Sequence, residues 1–214
     1  MTVIGFLHTA EVHVATFRTL FAELAPPGLH DLHLVDEKLL ADARRTGSAP
    51  DLAKRLEELV AAGADLIVCT CSTIGADAEA MSGDVPVLRL DRPMAEAAVA
   101  AGDRIAVVAT VESTLEPTLD LLRQTAGRPV TLIRSPCLAA WRHFEADDLT
   151  AYHEEIAGHV RMIAADTDVI VFAQASMAGA AALLPGIPVL TSPRAAVAEA
   201  VRKGRGMAAR PETF

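Results

Sequence analysis

Hydrophobic positions along the chain fall into two patterns: short continuous runs, and longer segments that repeat every three to four residues. The short runs are Val3–His8, Leu32–Val35, Leu66–Thr70, Val85–Leu90, Ile105–Ala109, Val130–Ile133, Val169–Ala173 and Ile187–Leu190. Several are apolar throughout, as in Leu66-Ile67-Val68 and Ile105-Ala106-Val107-Val108, the pattern of parallel strands covered on both faces. Helical periodicity spans Val12–Leu24, Asp51–Ala62, Pro93–Ala101, Leu115–Thr125, Leu149–Ala164 and Pro193–Lys203. Asp51, after Pro50, is positioned to cap its helix, and Pro93 and Pro193 suit the first turns of theirs. Strand–helix alternation of this kind predicts an α/β fold of right-handed βαβ units around a parallel sheet. Residues 205–214 carry no periodicity and read as a flexible tail.

The same order of elements occurs twice. Asp65-Leu66-Ile67-Val68-Cys69-Thr70-Cys71-Ser72-Thr73 is answered by Asp168-Val169-Ile170-Val171-Phe172-Ala173-Gln174-Ala175-Ser176. Val85-Pro86-Val87-Leu88 is answered by Ile187-Pro188-Val189-Leu190, and Ile4-Gly5-Phe6-Leu7-His8-Thr9 by Ile105-Ala106-Val107-Val108-Ala109-Thr110. The chain is therefore expected to form two similar lobes, 1–97 and 98–204, related by a pseudo-twofold with a shared cleft. Ligands of open parallel sheets sit beyond the carboxyl ends of the strands. That points to His8, Thr9, Cys71, Ser72, Thr73, Thr110, Gln174, Ala175 and Ser176 as the positions to search for chemistry.

Charge narrows the partners. The 214 residues include 19 Lys and Arg against 28 Asp and Glu, a formal net charge of −9. Such a chain is poorly suited to nucleic acid or an anionic membrane. No stretch approaches the ~18–20 apolar residues of a membrane span. The N-terminus lacks the basic region and cleavage site of a signal peptide. Three cysteines, two of them as Cys69-Thr70-Cys71, do not form a secreted disulfide framework. A cytoplasmic protein acting on a small molecule is the expectation, with a homodimer as the default assembly.

Common motifs are missing. Gly204 and Gly206 follow the last helix instead of opening one, and no phosphate loop or Gly-x-Ser-x-Gly elbow occurs. His153-Glu154-Glu155 begins like a zinc-binding helix, but Ala157 stands where the second ligand would be. His30 and His33 project to opposite faces of a strand, so no metal is expected. Cys71 stands apart. It ends an apolar run and precedes a helical pattern, a place where the helix dipole and free N–H groups stabilise a thiolate. The same N–H groups, with the Ser72 and Thr73 hydroxyls, suit a substrate carboxylate; the alternative is a buried packing cysteine. Cys69 reads as core; Cys137, after Pro136 at the end of the sixth run, reads as packing, with a place in the cleft as the alternative.

Asp65-Leu66-Ile67-Val68-Cys69-Thr70-Cys71-Ser72-Thr73 resembles the first cysteine motif of the aspartate/glutamate racemase superfamily, which includes hydantoin racemases, arylmalonate decarboxylase and maleate isomerase. Val108-Ala109-Thr110 with Thr114 is similar to that family's threonine-bearing loop of the second lobe. The resemblance implies a cofactor-independent enzyme moving a proton at the carbon next to a carboxylate, with one cysteine per lobe flanking that carbon. Six residues past Asp65 stands Cys71, but six past Asp168 stands Gln174. A neutral amide hydrogen-bonds but does not shuttle protons. The expected enzyme thus has a single catalytic cysteine, Cys71, with Gln174 where a second would stand. Racemisation, decarboxylation and cis–trans isomerisation stay open, as does a non-catalytic carboxylate binder.

Further candidates carry two readings each. His8 is either a replacement acid or base, given its near-neutral pKa, or a hydrogen-bonded structural histidine. Ser176 and Cys137 stand with it as candidates for the second acid or base. Thr110, Ser113 and Thr114 precede a helix, where capping and anion binding coincide. Asp36-Glu37 is either at the cleft or capping the next helix. Asp91 and Arg92 end the fourth run, with Ser192 and Arg194 in the answering place, and Arg194 either clamps a carboxylate or is a solvated surface residue.

Overall fold

The computed structural model describes residues 1–208. The chain divides into two compact units, Met1–Leu90 with the described residues from Pro193 onward, and Asp91–Ser192. Each contains one four-stranded parallel sheet.

In the first unit the strands are β1 (Thr2–His8), β2 (Leu29–Val35), β3 (Leu66–Cys69) and β4 (Val87–Arg89), in the order β2-β1-β3-β4. The helices are α1 (Val12–Leu24), α2 (Glu37–Thr46), α3 (Leu52–Ala61), α4 (Ser72–Ala80) and, from the far end of the chain, α9 (Ser192–Ala208). Alternation along β1 sorts its side chains between two layers. Leu7 joins Ile67, Cys69 and Cys71 against Leu39, Leu52, Leu56, Leu59 and Ile74 of α2, α3 and α4. On the other face, Phe6 packs edge-on against Phe21 and tilted against Phe17 of α1. Helix α9 covers this second face too: a Cβ at Gly204 would lie 3.3 Å from Ile4 Cδ1 and 3.2 Å from Leu29 Cδ2.

The second unit repeats the plan with β5 (Arg104–Ala109), β6 (Thr131–Pro136), β7 (Val169–Phe172) and β8 (Val189–Leu190), ordered β6-β5-β7-β8. Its helices are α5 (Arg92–Ala101), α6 (Leu115–Thr125), α7 (Trp141–Glu145) and α8 (Leu149–Ile163). Ile105, Val107 and Ala109 face α5 and α6, while Ala106 and Val108 face Tyr152, Ile156 and Val160 of α8. The repeated aspartate has the same work in both units. Asp65 Oδ2 accepts from Val3 N–H at 2.8 Å, and Asp168 Oδ2 accepts from Asp103 and Arg104 N–H, both at 2.8 Å. Each carboxylate thereby ties the start of one strand to the start of its neighbour.

All eight expected strands are present, with different ends. β2 begins at Leu29, where it pairs with Thr2, and β4 and β8 are shorter than their apolar runs. The division 1–97 and 98–204 misses an exchange, because α5 packs with the second sheet and α9 with the first. Residues 205–208 continue α9, and the rest of the expected tail lies outside the described residues. Asp51 stands at the N-cap of α3 without a capping bond and instead pairs with Lys38 Nζ at 3.0 Å. Residues Ala175–Leu183, answering α4, form a 3-10 segment rather than an α-helix. Among the described residues, no helix is long and apolar enough to cross a membrane.

Candidate active site

The expected site residues gather at the carboxyl ends of the strands, within each unit separately. In the first unit, Cys71 is the N-cap of α4, extended at φ −114° and ψ 115°, with no capping bond from its side chain. Ser72 and Thr73 form the first turn behind it. Cys71 is 7% exposed, at the rim of the layer containing Leu7, Leu39 and Ile74. Thr9, just past β1, is also buried. Cys69 is core, as expected.

His8 lies on the opposite face of this sheet from Cys71, since Leu7 and Cys69 point toward Cys71 and their neighbours His8 and Thr70 point away. Both His8 ring nitrogens are engaged: Nδ1 with Thr70 Oγ1 at 2.9 Å, Nε2 with His33 Nδ1 at 2.8 Å. His33 Nε2 in turn meets Asp31 Oδ2 at 2.8 Å, and Thr70 Oγ1 also reaches the Leu7 carbonyl at 3.0 Å. Neutral rings assign His33 Nε2–H to Asp31 and His8 Nε2–H to His33, leaving the single Thr70 proton for His8 or Leu7. Burial first, then the nearby His33, His13 and Arg18, push the His8 pKa down to about 3. These surroundings favour the structural histidine over the replacement acid or base.

The second unit joins its candidates by direct bonds. Gln174 occupies the position equivalent to Cys71 with similar extended backbone, φ −128° and ψ 142°. Its Oε1 accepts from Thr110 N–H at 2.7 Å, Val111 N–H at 3.3 Å and Thr110 Oγ1 at 3.0 Å. The Thr110 donors expected to hold a carboxylate are thus committed to Gln174. Thr110 Oγ1 also meets Tyr152 OH at 3.0 Å, and Tyr152 OH meets Ser176 Oγ at 2.9 Å. His153 Nε2 lies 3.1 Å from the carbonyl oxygen of Ser176. Ala175 opens the 3-10 segment. Thr114 is the N-cap of α6, but its hydroxyl donates back to the Val111 carbonyl at 2.9 Å and caps no N–H.

The remaining candidates have structural surroundings. Asp36 caps α2 by accepting from Lys38 N–H and receives Arg55 Nε at 2.7 Å. Arg194 pairs with Glu23 at 2.8 Å on the surface. Asp91 and Ser192 are buried. Cys137 packs beside Ala106 and Val108, and burial raises its thiol pKa. It also borders an open cavity of about 710 Å³ with Glu155 and His159. Tyr152 was not singled out from sequence. It is the chain's one tyrosine, on the stripe Tyr152, Ile156, Val160, and a buried phenol on such a stripe requires a hydrogen-bond partner.

Residues 17–200 match the family model described as Asp/Glu/Hydantoin racemase. Among solved structures the chain is similar to the aspartate racemase of Picrophilus torridus, at 13% identity and a TM-score of 0.79, covering 96% of this chain and 95% of that one. It is similar to the allantoin racemase of Pseudomonas fluorescens at 19% identity and a TM-score of 0.71, covering 96% and 92%. A glutamate racemase isoform of Bacillus anthracis matches at 16% identity and a TM-score of 0.70, covering 96% and 82%. No curated protein matches the sequence. Likeness at these identities speaks for the fold.

Proposed function

Because the chain belongs to the Asp/Glu/hydantoin racemase family, we propose that it is a cofactor-independent enzyme that moves a proton at the carbon next to the carboxylate of a small acid. Cys71 is the group that moves it. The observation that supports this reading is the position of Cys71 as the N-cap of α4, at the end of a buried strand. There a thiolate and a substrate carboxylate both benefit from the helix N-terminus. As thiolate, Cys71 takes the α-proton; as thiol, it returns one to the resulting enediolate. Carboxylate oxygens held by hydrogen-bond donors stabilise the charge that develops.

Gln174 makes the reaction one-sided. Its side chain neither takes up nor releases a proton near neutral pH. Proton transfer therefore occurs on the Cys71 face, and the enzyme exchanges one enantiomer faster than it interconverts the two. Protonation of an enediolate after loss of carbon dioxide is the second reading, favoured by the same glutamine, because it needs only one acid. The test is deuterium uptake from heavy water across a panel of amino, hydroxy and malonic acids. Cys71→Ser should abolish exchange while ligand affinity stays within about tenfold, since the hydroxyl fills the space but is a far weaker acid. Undiminished exchange by that variant would overturn the assignment. Binding without exchange of any acid by the unmodified protein would establish a carboxylate binder instead.

A further inference from the structure

The hydroxyl groups around Gln174 form a chain whose direction follows from counting protons. Two backbone N–H groups, of Thr110 and Val111, point at one terminal atom of the Gln174 amide. An N–H only donates, so that atom is the oxygen, which fixes the orientation of the amide. The Thr110 hydroxyl has a single proton and gives it to the same oxygen. Its contact with Tyr152 must then run the other way, with the phenol donating to Thr110. With that proton committed, the contact between Tyr152 and Ser176 runs from the serine to the phenol. Tyr152 is fully buried, and burial raises its pKa, so it keeps the proton it donates. The result is a one-way chain from Ser176 through Tyr152 and Thr110 to Gln174 Oε1.

Three donors on one oxygen exhaust its ability to accept. Both protons on Gln174 Nε2 are directed away from the Thr110–Val111 loop, and Nε2 makes no hydrogen bond among the described residues. We propose that Tyr152 is a positioning residue which, through Thr110, holds Gln174 as a pure hydrogen-bond donor toward the ligand. The ligand group that meets residue 174 is then an oxygen acceptor, such as a carboxylate, an imide carbonyl or an enediolate, and not an ammonium. This deepens the reading of a small-acid enzyme and rests on it.

The test uses the full chain with malonate as the probe. Tyr152→Phe should weaken malonate binding about three- to tenfold, and Gln174→Ala at least tenfold. The double variant should bind no more weakly than Gln174→Ala alone, because Tyr152 acts only through that side chain. Gln174→Glu should bind malonate only as pH falls through the titration of the new carboxyl, whose protonated form again donates. Additive losses in the double variant, or no new pH dependence in Gln174→Glu, would overturn the proposal. A ligand-free measurement separates this from the broader reading. In the free protein, Tyr152→Phe should shift or broaden the Gln174 side-chain amide pair in a nitrogen-15-correlated NMR spectrum, and an unchanged pair would refute the positioning role. If the unmodified protein binds none of malonate, succinate and aspartate, the small-acid reading falls and the donor role of Gln174 with it. The amide pair still decides whether Tyr152 holds residue 174.

Discussion

Acid should destabilise this protein through His8 in particular. The ring is 0% exposed, hydrogen-bonded at both nitrogens, and flanked by Phe6, Phe17 and His33. Its pKa is lowered from 6.5 to about 3, by burial first and then by His33, His13 and Arg18. The folded pKa lies below the unfolded one, so between these values the unfolded chain binds more protons and stability falls as pH falls. The contribution is complete above pH 6.5 and declines by about 1.4 kcal/mol per unit below it. Two units of acidification, to pH 4.5, thus remove about 2–3 kcal/mol. His13, His33 and His159 are lowered by burial as well, so the intact protein loses more than His8 alone accounts for. The perturbation is His8→Asn, which does not titrate. Urea unfolding at pH 7.5 and pH 4.5 should show the parent losing about 2–3 kcal/mol more than the variant at constant slope. Parallel losses, or a His8 ring resonance titrating near pH 6.5, would refute the argument.

A Cβ at Gly102 would stand 2.3 Å from Asp168 Cβ, so Gly102→Ala must displace the carboxylate that ties Asp103 and Arg104. The expected cost is about 1–3 kcal/mol, read from the thermal midpoint, and a midpoint equal to the parent's would contradict that role for Asp168. Gly204→Leu should destabilise by about 1–3 kcal/mol through overpacking against Ile4 and Leu29, while Gly204→Ala should remain within about 1 kcal/mol of the parent. Equal effects of the two in urea unfolding would mean that α9 does not approach β1 closely. Gln174→Cys should let the enzyme exchange both enantiomers of an acid for which the parent exchanges one; continued one-sided exchange would count against residue 174 as the second proton-transfer position.

The strands were legible because a parallel strand covered on both sides has no polar positions to blur it, as Leu66-Ile67-Val68 and Val169-Ile170-Val171 show. The repeat was legible for a related reason: Asp65 and Asp168 recur because the same pair of strand starts must be tied in each unit. Helices α1 and α6 were read to the residue. The allegiance of α5 and α9 was not, since an apolar stripe shows that a helix needs a sheet but not which one. Residues Ala175–Leu183 carry good α-helix formers, yet form a 3-10 segment in which Gly179 comes so close to His153 that a Cβ there would stand 2.4 Å from its ring. At the site, Cys71 announced itself by standing between a strand and a helix. The partners of His8 and Gln174 did not, because hydrogen bonds such as His8–Thr70 and Thr110–Gln174 span more than sixty residues and have no local pattern.

The exchange of the final helices bears on how the chain is made. Asp91–Ser192 is one uninterrupted stretch, complete in itself as soon as it has been synthesised. The sheet built on β1 is not, because α9 is the last described element to leave the ribosome. At roughly 5–20 residues per second, the later-made unit can close while the earlier one still lacks part of its cover. The order of completion is then the reverse of the order of synthesis. A chain arrested just after Ser192 would carry a finished second sheet and a first sheet lacking the α9 cover over Ile4 and Leu29, a surface that invites aggregation or chaperone capture.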